Sequence, residues 1–206
     1  MQDDRTTQFA QLVADIKQHS CSLRAGCKQA VPGEGNINSP VVFIGEGPGK
    51  VENEVGSPFV GPAGKLLAEA LQSIGWERRD IYITNVVKCH PPDNRDPSPE
   101  EVEEHKPFLE RELELIKPKL IVLLGRHALH WFLPGEKISE IRGTAKRRGD
   151  KVFFATYHPA AALYDPRLRL TLLSDFKRIP LLLDKVDQLP PAADHEGSAA
   201  AQSTMF

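Results

Sequence analysis

Four short segments carry residue types that together could hold a planar base and break its bond to a sugar. They are GEGPG at residues 45–49, PFVGPAG at 58–64, TNVVKC at 84–89 and YHPAA at 157–161. In that order they offer a backbone turn, an aromatic ring, an amide and an imidazole, the parts needed to grip a base swung out of its stack. Asn85 puts a donor and an acceptor on adjacent atoms, a match for O4 and N3–H of uracil. Cytosine presents the opposite polarity, so an amide fixed in one orientation rejects it. Phe59 could stack on the ring. His158, stiffened by the following Pro159, could hydrogen-bond the O2 of a departing uracil anion. Gly47 allows close backbone approach, and Glu46 places a carboxylate at the mouth. Each residue also has a plainer reading: Phe59 as core, Asn85 as a turn residue, His158 as a structural imidazole, the glycines as a tight turn. GEGPGK is not a phosphate loop, because Lys50 is followed by Val51 and the glycine spacing is short.

A second constellation is sulfur-bearing. Cys21 and Cys27 lie in a Gly- and Pro-punctuated loop, Cys89 follows the Asn85 segment, and His105 falls in a helical stretch. Three thiolates and one imidazole could complete an iron–sulfur or a zinc site; unpaired thiols are the alternative. Three cysteines behind the polar start MQDDRTTQFA lead us to expect a reducing, cytoplasmic setting. The 206 residues suffice for one domain, expected over 1–188 with a disordered tail over 189–206. A net charge of -2 means that any nucleic-acid contact must come from a local patch. No apolar run approaches the roughly 18 residues of a membrane helix, so no membrane partner is expected.

The elements that would position these residues are short apolar runs alternating with helical periodicity. Strands are predicted at 41–44, 81–84, 120–124 and 152–155, and helices at 4–19, 63–74, 99–116, 126–132 and 168–183. Ser98, Pro99 and Glu101 form a capping signature. The pattern predicts an α/β fold, a three-layer α/β/α sandwich around a four-stranded, mostly parallel sheet. In such folds the ligand site lies beyond the carboxyl ends of the strands, where all the motifs but PFVGPAG fall.

With NVVKCHPPDNRDP and KPKLIVLLG added, these motifs resemble the family 4 uracil-DNA glycosylases, the iron–sulfur type of bacteria and archaea, over about residues 18–186. The resemblance implies removal of uracil from DNA, with Glu46 and Gly47 in the first catalytic motif, Phe59 stacking, Asn85 reading the base and His158 catalytic. It also implies a [4Fe–4S] cluster. Cys21 and Cys89 match two ligand positions, His105 stands at the fourth, Gln18 at the first, and Cys27 where a basic residue is usual. His90 stands where arginine is common. The expected partner is uracil-containing DNA, single or double stranded, bound by a monomer. Candidate phosphate contacts are Lys88, Arg95, Arg142, Lys146, Arg147 and Arg148, with Arg167 and Arg169 holding the backbone and Leu163 as a wedge in the gap left by the flipped base. No lysine is placed by motif for Schiff-base (lyase) chemistry. Two other readings remain open here: a protein that traps uracil sites with little turnover, and an iron–sulfur interaction module without catalysis.

Overall fold

The computed structural model describes residues 2–189; the expected disordered tail lies, but for its first residue, outside them. Six strands form one sheet: β1 (Glu34–Gly35), β2 (Val41–Gly45), β3 (Tyr82–Asn85), β4 (Leu120–Leu124), β5 (Ala145–Arg148) and β6 (Lys151–Thr156), in the order β1-β3-β2-β4-β6-β5. The central four run parallel, and every residue of β2, β3 and β4 is buried. That is why β2 and β4 read as unbroken apolar runs rather than alternating ones, while β3 ends on buried Thr84 and Asn85.

The helices are α1 (Gln2–Gln18), α2 (Lys50–Val55), α3 (Pro62–Gln72), α4 (Pro99–Ile116), α5 (Gly125–Phe132), α6 (Ile138–Ile141), α7 (Pro159–Ala162), α8 (Pro166–Phe176) and α9 (Arg178–Leu183). Alternate strand residues feed two cores. Val42, Ile44, Ile121 and Leu123 meet Leu12 and Ile16 of α1, Leu109 and Leu113 of α4 and Leu129 of α5. Val41, Phe43, Val122 and Phe154 meet Leu67 and Leu71 of α3, Leu172 and Phe176 of α8 and Ile179 of α9. The expected three-layer sandwich follows from this two-sided burial.

Two expectations need correction. The sheet has six strands rather than four, because antiparallel edges flank the parallel core. β1 is only two residues long, and β5 reads AKRR, a charged edge with no apolar alternation to betray it. The single helix expected over 168–183 is two, α8 and α9, meeting at Lys177. The capping signature is realised: Ser98 Oγ accepts from the Glu101 N–H, and the Glu101 carboxylate accepts from the Ser98 N–H at 2.7 Å. Among the described residues no helix is long and apolar enough to cross a membrane.

Candidate active site

Parallel pairing of β2 and β3 sets Gly45 beside Asn85 at the carboxyl edge of the sheet. A Cβ on Gly45 would lie 2.5 Å from Asn85 Oδ1 and 2.6 Å from Phe59 Cζ, so this glycine is the bare floor on which amide and ring converge. Asn85 is 2% exposed, and its Oδ1 accepts no hydrogen bond from the described residues. A buried acceptor left unpaired costs about 1–3 kcal/mol, a cost that a bound donor would relieve.

Phe59 is held by force. Its φ is 52°, a left-handed conformation that strains a bulky side chain. Two charges clamp its loop. Arg78 donates from Nη1 to the Phe59 carbonyl at 2.9 Å and from Nη2 to the Pro58 carbonyl at 2.8 Å. Buried Glu52 of α2 accepts from the Val60 and Gly61 N–H groups through Oε1, at 2.9 and 2.8 Å. The Phe59 carbonyl also sits where a side chain on Gly64 would be, 1.8 Å from its would-be Cβ. Sequence reasoning missed Glu52 and Arg78, since a lone charge is usually a solvated one. Only their burial and backbone partners reveal them.

His158 caps α7. Its Nδ1 accepts from the Ala160 N–H at 3.1 Å, which places the ring proton on Nε2. Its ring centroid lies 5.7 Å from that of Phe59 with the planes 31° apart. Gly125, at φ 89°, makes room: a Cβ there would fall 2.8 Å from His158 Cβ. Burial, aided by the field of His127, pushes the His158 pKa down to about 4, so the imidazole is neutral and donates from Nε2.

Glu46, which follows β2, is partly buried, its side chain 25% exposed. Burial, then the neighbouring Asp96 carboxylate, pushes its pKa up to about 7 against the pull of Arg126. Its Oε1 has no hydrogen-bond partner among the described residues and lies 3.7 Å from His127 Nδ1, while His127 Nε2 is 3.3 Å from Asp96 Oδ1. His127 and Asp96 were not anticipated; one is the third residue of α5 and the other lies in the proline-rich loop, and nothing in the sequence links them. The turn itself is fastened by the Val86 N–H to the Gly45 carbonyl at 2.9 Å and the Val87 N–H to the Glu46 carbonyl at 3.0 Å. Gly47 lies against Val87, whose Cγ2 would be 2.7 Å from a Cβ.

The expected phosphate contacts are largely spent inside the protein. Lys88 is the clear correction: it is 1% exposed, and Nζ donates to Thr84 Oγ1, the Asn85 carbonyl and Glu112 Oε2 at 2.7, 2.8 and 2.7 Å. It holds the strand end that carries Asn85. Arg95 pairs through both guanidinium nitrogens with Glu101, and Arg142 pairs with Asp175 at 2.9 Å beneath a cation–π contact to Tyr157. Lys146 pairs with Glu136, Arg147 and Arg148 donate to backbone carbonyls, and Arg169 pairs with Glu69. Arg167 is exposed on the first turn of α8. Leu163 leans on the core, and its neighbour Tyr164 is the outward residue, 93% exposed.

The sulfur-bearing residues gather on the α1–α4 side. Cys21 and His105 bring donor atoms to within 4.8 Å of one another and of His19, a residue not counted among the expected ligands. Cys89 interacts with both Cys21 and Cys27. Cys27 turns its thiol toward the Gln29 carbonyl at 2.9 Å and Asn53 Oδ1 at 3.3 Å.

Fold and site together define an α/β/α protein in which an amide, an aromatic ring and a neutral imidazole gather at the carboxyl edge of the parallel sheet. Comparison with known proteins narrows this: residues 32–179 match the model of the uracil DNA glycosylase superfamily, and the chain belongs to that family. It is 50% identical to the type-4 uracil-DNA glycosylase of Archaeoglobus fulgidus over 174 residues, covering 80% of this chain and 87% of the relative. It is 42% identical to the type-4 enzyme of Thermotoga maritima over 171 residues, covering 81% and 89%.

Proposed function

We propose that this protein hydrolyses the N-glycosidic bond of deoxyuridine in DNA, releasing uracil for base-excision repair without a lyase step. The observation that carries the reading is the buried, unpaired Oδ1 of Asn85 beside the Phe59 ring. Uracil N3–H would pair with it, whereas cytosine N3, itself an acceptor, would meet it with repulsion. Thymine adds a C5 methyl group, which the crowded floor at Gly45 and Phe59 would disfavour.

In the proposed reaction the C1′–N1 bond breaks with its electron pair passing to uracil, leaving an oxocarbenium-like sugar. Neutral His158 donates from Nε2 to O2 as negative charge grows there, a donor set in place before the charge appears. Water adds to C1′, and Glu46 in its carboxylate form orients it and takes its proton. His127 stands 3.7 Å from Glu46 Oε1, and the Asp96 carboxylate beyond it raises the basicity of Glu46. Phe59, clamped by Glu52 and Arg78, needs no reordering to stack on the base. Tyr164, rather than Leu163, is the side chain free to fill the gap left in the duplex, with Arg167 one turn away for the backbone.

The family resemblance brings the expectation of a [4Fe–4S] cluster. The donor set fits poorly: one imidazole stands in a cysteine position, a second imidazole joins it, and three of the donors lie closer together than a cubane allows, since its own iron and sulfide atoms stand between its ligands. No step above depends on it.

The test is a labelled oligonucleotide bearing one uracil, incubated with protein and then cleaved by alkali at abasic sites. Wild type yields cleavage at uracil and the folded variant His158→Ala yields at least about 100-fold less. Full activity of that variant would remove His158 from the mechanism, and an inert wild type would refute the reading.

A further inference from the structure

Two imidazoles stand out on the face away from the base pocket. His105 is fully buried in α4, its Nδ1–H donating to the Glu101 carbonyl at 2.7 Å. That bond fixes the tautomer and leaves the Nε2 lone pair pointing inward, where no described group donates to it. His19, just past the end of α1, also has a buried Nε2 without a partner. The two rings meet edge to face at 5.4 Å, and His19 packs edge-on against Phe108 at 4.7 Å, so neither imidazole satisfies the other. A donor atom of each histidine converges with Cys21 Sγ within 4.8 Å; Cys89 lies outside that group and reaches it through its interaction with Cys21.

A buried acceptor on His105 with no donor, beside a second unpartnered imidazole nitrogen, is costly unless something electron-poor sits between them. Two thiolates and two imidazoles are a tetrahedral donor set suited to zinc. Around one such ion the ligand atoms lie roughly 3.3–3.8 Å apart, as bond lengths of about 2.0–2.3 Å require. The observed convergence is near that scale.

We propose that His19, Cys21, Cys89 and His105 bind a single zinc ion in place of an iron–sulfur cluster. The ion ties the exit of α1 to α4 and to the segment four residues past Asn85, so it staples the base-reading strand end from behind. Cys27, whose thiol meets Cys89, the Gln29 carbonyl and Asn53 Oδ1, stands outside the converging His19–Cys21–His105 group. The carbonyl behind His105 is the outer-shell partner that a metal-bound imidazole commonly has. This inference is independent of base excision, because its readout needs no DNA.

The experiment is metal and acid-labile sulfide analysis of the full chain purified without added metal, followed by Co2+ titration of the metal-free protein. The expected result is one zinc per chain and no sulfide. Cobalt should give the intense visible bands of a tetrahedral thiolate site, with a one-to-one end point. His19→Ala and His105→Ala should each weaken cobalt binding at least about tenfold, and Cys27→Ser should leave it unchanged. If the alanine variants fail to fold, the wild-type stoichiometry and spectrum still decide. Four irons with four sulfides, two irons with two sulfides, dependence on Cys27 but not His19, or no metal bound at all would each overturn the proposal.

Discussion

Lys88 separates two accounts of the same residue. By sequence it follows the Asn85 strand and invites a phosphate; in the fold it is sealed beneath that strand end. Glu112 opposite it accepts from Lys88, from Thr84 Oγ1 at 2.8 Å, from Tyr82 Oη at 3.0 Å and from the Gly33 N–H at 3.1 Å. Burial pulls the lysine pKa down from its ordinary value while Glu112 pulls it back up, and the ammonium completes a satisfied network. Lys88→Met keeps the stem and deletes the charge, leaving the carboxylate buried without its cation. Breaking such a pair costs about 3–5 kcal/mol, against a total stability of about 5–15. For a chain of this size that is a fall in Tm of about 6–20 °C. The assay is thermal and urea unfolding, paired with the salt dependence of DNA binding measured well below the transition. A structural lysine predicts the loss of stability with the slope of log K against log[salt] unchanged. A phosphate contact predicts near-wild-type stability and a slope shallower by about 1. The second pattern would refute the reasoning. The double variant Lys88→Met/Glu112→Gln should recover part of the loss, since it removes the stranded charge yet keeps an acceptor for the Tyr82 hydroxyl and the Gly33 N–H.

Two further outcomes follow from the pocket. In the proposed reaction Glu46 acts as a carboxylate, so with its pKa near 7 the single-turnover rate should rise with pH through about 7 and level above it. His158, with its pKa near 4, should add no second inflection above about pH 5. Glu46→Gln should flatten the profile and lower the rate about 100-fold; an unchanged profile would take Glu46 out of the reaction. Tyr164→Ala should slow excision from duplex several-fold and leave single-stranded substrate nearly untouched, because only a duplex has a gap to fill. Equal loss on both would assign Tyr164 another role.

Much of this was legible in the chain. The four parallel strands announced themselves because burial on both faces demands unbroken apolar runs, and the α4 cap because its geometry is local. Asn85 and His158 drew notice because each stands at or just past a strand end, and Phe59 because an aromatic ring sits in a Gly- and Pro-rich loop. What stayed hidden depends on tertiary packing. β5 is a charged edge whose only sheet partner is β6. Glu52, Arg78, His127 and Asp96 act through neighbours 8 to 81 residues away. Lys88 and a solvated lysine look the same on paper, and so do His19 and a surface histidine. Leu163 and Tyr164 are adjacent hydrophobic residues, and only the path of the chain between α7 and α8 decides which one faces out.

The central claim is that the orphaned acceptor on Asn85 selects uracil. It is tested most directly by single-turnover base release from matched oligonucleotides carrying one uracil, cytosine or thymine, with wild type and Asn85→Leu side by side. Wild type is expected to release uracil but neither cytosine nor thymine, and the variant to release uracil about 5–150-fold more slowly, the equivalent of one buried hydrogen bond lost. Comparable release of cytosine by the wild type, or an undiminished uracil rate in Asn85→Leu, would contradict it.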